Sequence, residues 1–278
     1  MKVGSTSIDI VSDGTILLDG GALFGQIPKA LWEVNMKPDR KNRVRLGMNC
    51  LLIQTPDKTV LVDTGAGSKR TDKLKDIYGL NGNRLIKRLK GLNVTARDID
   101  SVVLTHLHFD HSGGCTKLDR SGNGSPTFSK ARHIVQKSSW DEANNPNERS
   151  KSAYFTDDFL PIQEAGLLDL IEGDAEICPG VNVKVTNAHT PGHQIVLIEA
   201  GSERIAYLGD LIPTPFHLPL PNIAAFDYSP NDTLDQKREL LRTATSKGWM
   251  LIFGHSLEQS AGYVEERNGK INFLPVDF

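Results

Sequence analysis

The chain has 278 residues, 38% of them hydrophobic and 24% charged, with a formal net charge of -2. That balance describes a globular chain, excludes disordered and collagenous classes, and gives no global bias toward nucleic acid or acidic membranes. The opening MKVGSTSIDIVSDGT lacks the apolar run of a signal peptide, and about 18 consecutive apolar residues occur nowhere, so a cytoplasmic protein without membrane partners is expected.

In chain order, apolar β-branched segments bounded by turn residues predict strands over 50–55, 59–64, 101–106, 133–136, 181–186, 194–200, 204–209 and 250–254. Helices are predicted over 71–90, closing at Gly91, near 137–143, and over 231–247, between Pro230 and Gly248. Strands and helices intermix, which gives an α/β or α+β class. No repeat and no linker-like tract interrupts the chain, so one domain over 1–278 is expected. Two segments are irregular: 112–131, rich in Gly and Ser, and 211–230, with five prolines among apolar residues, where a pocket wall is expected. Cys50, Cys115 and Cys178 form no CxxC pair and read as small core residues.

The chemistry concentrates in Thr105-His106-Leu107-His108-Phe109-Asp110-His111, directly after the strand Ser101-Val102-Val103-Leu104. Histidines two apart on extended backbone project to one side, and the tighter turn that follows swings Asp110 and His111 to a neighbouring point. Imidazole and carboxylate suit zinc and other first-row divalent ions, and hydrolysis needs three protein ligands plus an open position. One loop supplies too few ligands for two ions. Further His and Asp residues stand just beyond other strands: His193 in Thr190-Pro191-Gly192-His193, Asp210 after Gly209, His255 after Gly254, and Asp63 before Thr64-Gly65. His133 and His189 read as structural histidines. Arg40, Lys41, Arg43 and Arg45 form no basic stripe of the kind that binds nucleic acid.

This arrangement resembles the metallo-β-lactamase superfamily, from Val60-Leu61-Val62-Asp63-Thr64-Gly65 to Phe253-Gly254-His255. The resemblance implies an αββα sandwich, with two mixed β-sheets flanked by helices. It also implies two divalent ions, zinc first and manganese, iron or cobalt as alternatives. By it, His106, His108 and His193 hold one ion, Asp110, His111 and His255 the other, Asp210 bridges them, and Asp63 hydrogen-bonds to a ligand. A narrower similarity is to N-acyl homoserine lactone lactonases and their phosphotriesterase-like relatives. It rests on Asp19-Gly20-Gly21-Ala22-Leu23-Phe24-Gly25 with Ile27-Pro28-Lys29, on the central motif, and on Gly209-Asp210-Leu211-Ile212-Pro213-Thr214 with His217.

That similarity implies a small lactone or ester substrate, opened by a hydroxide bridging the ions, with Asp110 and Asp210 as catalytic carboxylates. Phosphotriester or general ester hydrolysis is the alternative on the same site, and a non-catalytic metal-binding scaffold is a third reading. Phe24, Phe109, Phe216 and His217 are the substrate-contact candidates, and a homodimer through the 20–45 segment is the family expectation. One departure stands out: the compact lactonases carry a tyrosine where this chain has Pro213.

Overall fold

The computed structural model describes residues 1–81 and 84–278. The first sheet takes β1 (Lys2–Val3), β2 (Thr6–Asp19), β3 (Arg43–Gln54), β4 (Thr59–Val62) and β5 (Ser101–Val103) in that spatial order. A two-stranded ribbon, β6 (Thr116–Leu118) and β7 (Gly124–Pro126), follows in the chain. β8 (Arg132–Gln136) and β9 (Leu168–Ile171) then complete the first sheet. The second sheet is the run β10 (Ala175–Cys178), β11 (Val181–Val185), β12 (Gln194–Ala200), β13 (Glu203–Tyr207), β14 (Met250–Ile252), β15 (Ala261–Arg267) and β16 (Lys270–Pro275). Both sheets are mixed: β4, β5, β8 and β9 run parallel in the first, β13 and β14 in the second.

The layering follows from which faces are apolar. Ile8, Leu51, Val60, Val103, Val181, Val196, Ile205 and Ile252 meet between the two sheets. Leu85, Leu89, Trp140 and Ile162 cover the outer face of the first sheet, so the helices Leu85–Gly91, Lys137–Asn144 and Leu160–Glu164 form one outer layer. The helix Pro230–Lys247 forms the other, burying Thr233, Lys237, Leu240, Leu241 and Ala244, a spacing that keeps one stripe on the sheet. Its bounds follow local rules. Ser229 caps Asp232 N–H, Pro230 stands in the first turn, and Gly248 ends the helix in the left-handed region, at φ 64°. This is the expected αββα sandwich.

The structure differs from the sequence expectation in its elements. The stretch 71–90 is two helices, Thr71–Tyr78 and Leu85–Gly91, with Gly79 closing the first, and residues 82–83 of the expected helix lie outside the described residues. β2, β9, β10, β15 and β16 were not expected, because their mixture of polar and charged residues hides the alternation of a strand with one wet face.

The topology creates one rim. Parallel β4 and β5 end at Asp63 and at the 105–111 loop, and parallel β13 and β14 end just before Asp210 and His255. The two sheets are tied together there, Gly47 and Asn49 donating their N–H groups to the carbonyls of His255 and Gly254 at 3.0 and 2.8 Å.

Candidate metal centre

At this rim the imidazoles of His106, His108, His111, His189 and His255 gather around the carboxylate of Asp210, all of them buried except the half-buried His108. One group of ligand atoms is His106, His108, His189 and Asp210; the other is Asp110, His111 and His255. Asp210 faces both. Its Oδ1 lies 3.2 Å from His111 Nε2 and 3.1 Å from His255 Nε2, and its Oδ2 lies 3.3 Å from His189 Nε2 and 4.0 Å from His106 Nε2.

Four of the five imidazoles, all but His108, are oriented by a partner on the far side. Asp63 Oδ2 takes His111 Nδ1 at 2.8 Å, the Gly47 carbonyl takes His255 Nδ1 at 2.7 Å, and Asp227 Oδ1 takes His189 Nδ1 at 2.8 Å. These acceptors have no proton to give, so each histidine donates from Nδ1 and turns a lone pair inward at Nε2. Thr105 Oγ1 is spent on Asp63 and accepts from His106 Nδ1 at 3.0 Å, with the same result.

This geometry is the test of whether the residues fit metal ions. His111 Nε2 and His255 Nε2 are 3.1 Å apart, as are His189 Nε2 and His108 Nδ1. Facing lone pairs at that distance repel unless a cation or proton lies between them. His106 Nε2 and Asp210 Oδ1 are moreover buried with no hydrogen-bond partner, the signature of ligand atoms aimed at an ion. The donor set of imidazoles and carboxylates fits two divalent ions.

Protonation directions agree. Burial pushes His106 and His108 well below the ordinary imidazole range, with the neighbouring histidines adding to it. Burial also opposes the charged forms of His111, His189 and His255, yet Asp210 and the other nearby carboxylates outweigh it and raise all three. Burial works against Asp210 as an anion, but His111, His255 and His189 together hold it well below the usual carboxylate range. Asp210 thus draws positive charge, as protons or as cations, to these three imidazoles.

His193 is not among the inward-facing imidazoles, and here the expectation is corrected. It lies immediately before β12, inside the sheet, where its Nε2 accepts the Asp210 N–H at 3.0 Å and its Nδ1 donates to Thr186 Oγ1 at 2.7 Å. With both nitrogens used it has no lone pair to offer, and burial pushes it down to about 3. His189 stands at the tip of the same turn, beyond the strand ends, and takes the place expected for His193. The close approach of the 208–210 backbone to His193 requires glycine, since a Cβ on Gly209, at φ 49°, would sit 2.8 Å from His193 Nε2.

Asp63 follows β4 directly and lies against His111. It adopts φ 57°, a left-handed conformation that costs a non-glycine residue, and it is held there by bonds from Thr105 N at 2.8 Å, Thr105 Oγ1 and Tyr207 Oη at 3.2 Å. Asp227, which sequence reasoning missed, is the matching carboxylate behind His189. Its Oδ2 accepts from Thr233 Oγ1 at 2.8 Å. No local pattern points to it, because it lies in the proline-rich loop and reaches His189 only through tertiary packing.

A cavity of about 580 Å³ opens above the cluster, its floor formed by His108, Asp110, His189 and Asp210. Leu17, Leu18, Ile77, Phe109, Tyr154 and Phe226 contribute apolar wall, and Lys41, Arg43, Asp76, Glu142 and Arg149 contribute charge. Of the four substrate-contact candidates only Phe109 lines this cavity. His217 is buried, bonded through Nε2 to the Leu23 carbonyl at 3.1 Å and through Nδ1 to Thr214 at 2.7 Å, and stacked on Phe24 at 4.9 Å. Phe24 and Phe216 line a separate surface groove with Leu31 and Trp32. The reason is topological: Gly20–Phe24 and Pro215–His217 pack on each other instead of on the metal loop. The 211–230 segment does supply cavity wall, through Phe226 and Tyr228.

An αββα sandwich with clustered histidines and a shared carboxylate at the strand ends defines a metal-dependent hydrolase of the metallo-β-lactamase fold. The family model described as "Metallo-beta-lactamase superfamily" matches residues 44–255, and the chain belongs to that superfamily. An N-acyl homoserine lactonase of Bacillus cereus is 28% identical over 235 residues, which cover 80% of this chain and 86% of that protein. A crystal structure described as a probable metal-dependent hydrolase from Staphylococcus aureus superposes with a TM-score of 0.91 at 30% identity, covering 100% of this chain and 99% of that one. AidC, described as a dizinc quorum-quenching lactonase in complex with a product, shares the fold with a TM-score of 0.78 at 20% identity, covering 100% of this chain and 97% of its own.

Proposed function

We propose that the protein opens lactones, with N-acyl homoserine lactones as the substrate class and zinc as the metal. The observation that carries this reading is Asp210, whose two oxygens face two separate ligand groups on the floor of a largely apolar cavity. In it His106, His108 and His189 would hold one ion and Asp110, His111 and His255 the other, with Asp210 between the two groups. The relatives named lactonases support the choice of substrate.

Two bound divalent ions supply an acidified water and a Lewis acid for an ester carbonyl at neutral pH. The chain's own residues do the rest. Asp63, Asp227 and the Gly47 carbonyl fix the imidazoles, so that no reorganisation is needed during reaction. The apolar walls hold a neutral acyl substrate and exclude bulk water. Water oxygen adds to the carbonyl carbon, the π pair moves to the carbonyl oxygen, and on collapse the ring C–O bond breaks. Asp110 and Asp210 both line the cavity, and in this reading their carboxylates would take the proton that water loses and return it to the leaving alkoxide.

The reading includes a homodimer closed through the 20–45 segment, where Leu31 and Val34 are 65% and 74% exposed, and sedimentation would test that part. Function is tested by pH-stat turnover of N-hexanoyl homoserine lactone and of an aryl phosphotriester by metal-replete protein, with elemental analysis of the same sample. Faster turnover of the phosphotriester, or no lactone opening, overturns the assignment.

A further inference from the structure

Ester hydrolysis places negative charge on the carbonyl oxygen, and a neutral hydrogen-bond donor aimed at that oxygen stabilises the transition state more than the ground state. The cavity walls carry several hydroxyl groups, and most are already committed or badly placed. Ser150 donates to Glu142 Oε1 at 2.8 Å and Thr190 to the Pro191 carbonyl at 3.2 Å. Tyr228 is 55% exposed. Tyr78 is half-buried with its ring 5.1 Å from that of Phe109 and makes no ring contact with the histidine cluster among the described residues.

Tyr154 is different. It is buried, 7% exposed, yet it borders the same cavity as His108, His189 and Asp210. Its ring lies 5.0 Å from that of His108, and its hydroxyl lies against Thr190, one residue beyond His189. The segment that carries it is fastened to the loops beneath. Buried Asp158 binds Lys69 Nζ at 2.8 Å and Arg70 Nη1 at 2.7 Å, the Asp157 carboxylate also pairs with Arg70, and Thr116 Oγ1 donates to the Asp157 carbonyl at 2.6 Å. Lys69 also reaches the Thr116 carbonyl at 2.9 Å. A buried ion triad that costs desolvation is retained here next to a cavity wall, where it fixes the position of that wall. The ring is therefore held in one place without its hydroxyl being spent on a strong acceptor.

We propose that Tyr154 is a catalytic residue whose hydroxyl donates a hydrogen bond to the carbonyl oxygen of the bound ester as that oxygen gains charge. This rests on the lactonase reading of the same cavity. As water oxygen adds to the carbonyl carbon, the electron pair that arrives on oxygen is met by the phenolic O–H, which stays bonded to tyrosine throughout. When the carbonyl re-forms and the ring C–O bond breaks, the hydrogen bond weakens and the hydroxy acid leaves. Burial first, and the Glu142 carboxylate second, push the Tyr154 phenol above its ordinary pKa of about 10, so it is a donor at neutral pH and not a competing base.

The test compares Tyr154→Phe and Tyr78→Phe with the wild type, each shown by elemental analysis to carry the same metal content. The substrates are N-hexanoyl homoserine lactone and p-nitrophenyl acetate; hexylphosphonate, whose charged oxygens mimic the addition state, is titrated by calorimetry. Tyr154→Phe keeps the ring against His108, so the expected result is a kcat lower by roughly 10- to 100-fold with KM within about threefold. Hexylphosphonate is expected to bind about tenfold more weakly. Unchanged kcat and unchanged phosphonate affinity in Tyr154→Phe, or a larger kcat loss in Tyr78→Phe, overturns the proposal. If the wild type hydrolyses only the aryl ester, the lactonase reading fails and the kcat comparison is made on that ester. If it hydrolyses neither, the phosphonate titration alone decides for or against Tyr154.

Discussion

His189 and His193 stand four residues apart in one turn, and their different fates show how backbone position decides chemistry. His193 adjoins β12 and spends both nitrogens on Thr186 and the Asp210 N–H, whereas His189 lies past the strand ends with Nε2 turned to His108 and Asp210 in the cluster. His189→Ala is therefore expected to lose bound metal, and His193→Ala to retain more of it while loosening the Asp210 backbone. Metal content per chain measures the difference, and equal loss in both variants contradicts the assignment. The carboxylates behind the imidazoles make a second prediction. Asp63→Asn and Asp227→Asn keep every ligand but weaken its orientation, so metal affinity should fall by about 10- to 100-fold. Competition with a chelator of known affinity checks this, and no change would show that these carboxylates do not orient the ligands.

Among the elements, the proline-rich loop depends on one buried lysine from the helix Pro230–Lys247. Lys237 is fully buried and donates to the carbonyls of Pro219, Leu220 and Asn222 at 3.0, 3.4 and 2.8 Å. Lys237→Met should cost about 1–3 kcal/mol, because it leaves three carbonyls without a donor. Urea denaturation measures it, and a midpoint unchanged from wild type would refute the clamp. β8 carries a titration that the metal centre does not. Burial lowers His133 to about 4, below the ordinary 6.5 of an unfolded histidine. The unfolded chain thus binds the extra proton first, so the His133 contribution is fully present above pH 6.5 and fades as pH falls toward 4. His133→Leu should flatten the melting temperature between those limits relative to wild type, both measured with metal removed. Parallel curves would refute it.

At the scale of the whole molecule, the metal centre joins the two sheets, because Asp63 and the 105–111 loop belong to one and Asp210 and His255 to the other. Ions that bind only when the sheets are apposed stabilise the fold by mass action. Chelation should therefore lower the melting temperature and addition of zinc restore it. A melting temperature insensitive to both would separate the ions from the fold.

Strands buried on both faces, such as β5 and β14, were legible because they sit in short, uninterrupted apolar runs bounded by turn residues. β2 and β16 were not, since one wet face scatters polar residues through them. The helix expected over 71–90 divides because Gly79 takes the left-handed turn that ends its first part. His106, His108, Asp110 and His111 were legible because they lie on one short loop whose geometry is local. The sequence by itself thus determined the metal loop, the fold class and the strand-end positions of Asp63, Asp210 and His255. Only the tertiary structure decided that His189 and not His193 faces the cluster, that Asp227 stands behind it, and that Phe24, Phe216 and His217 belong to a different surface. The reason is physical: spacing along the chain fixes which way neighbouring side chains point, but contacts between segments far apart in sequence depend on how the layers pack.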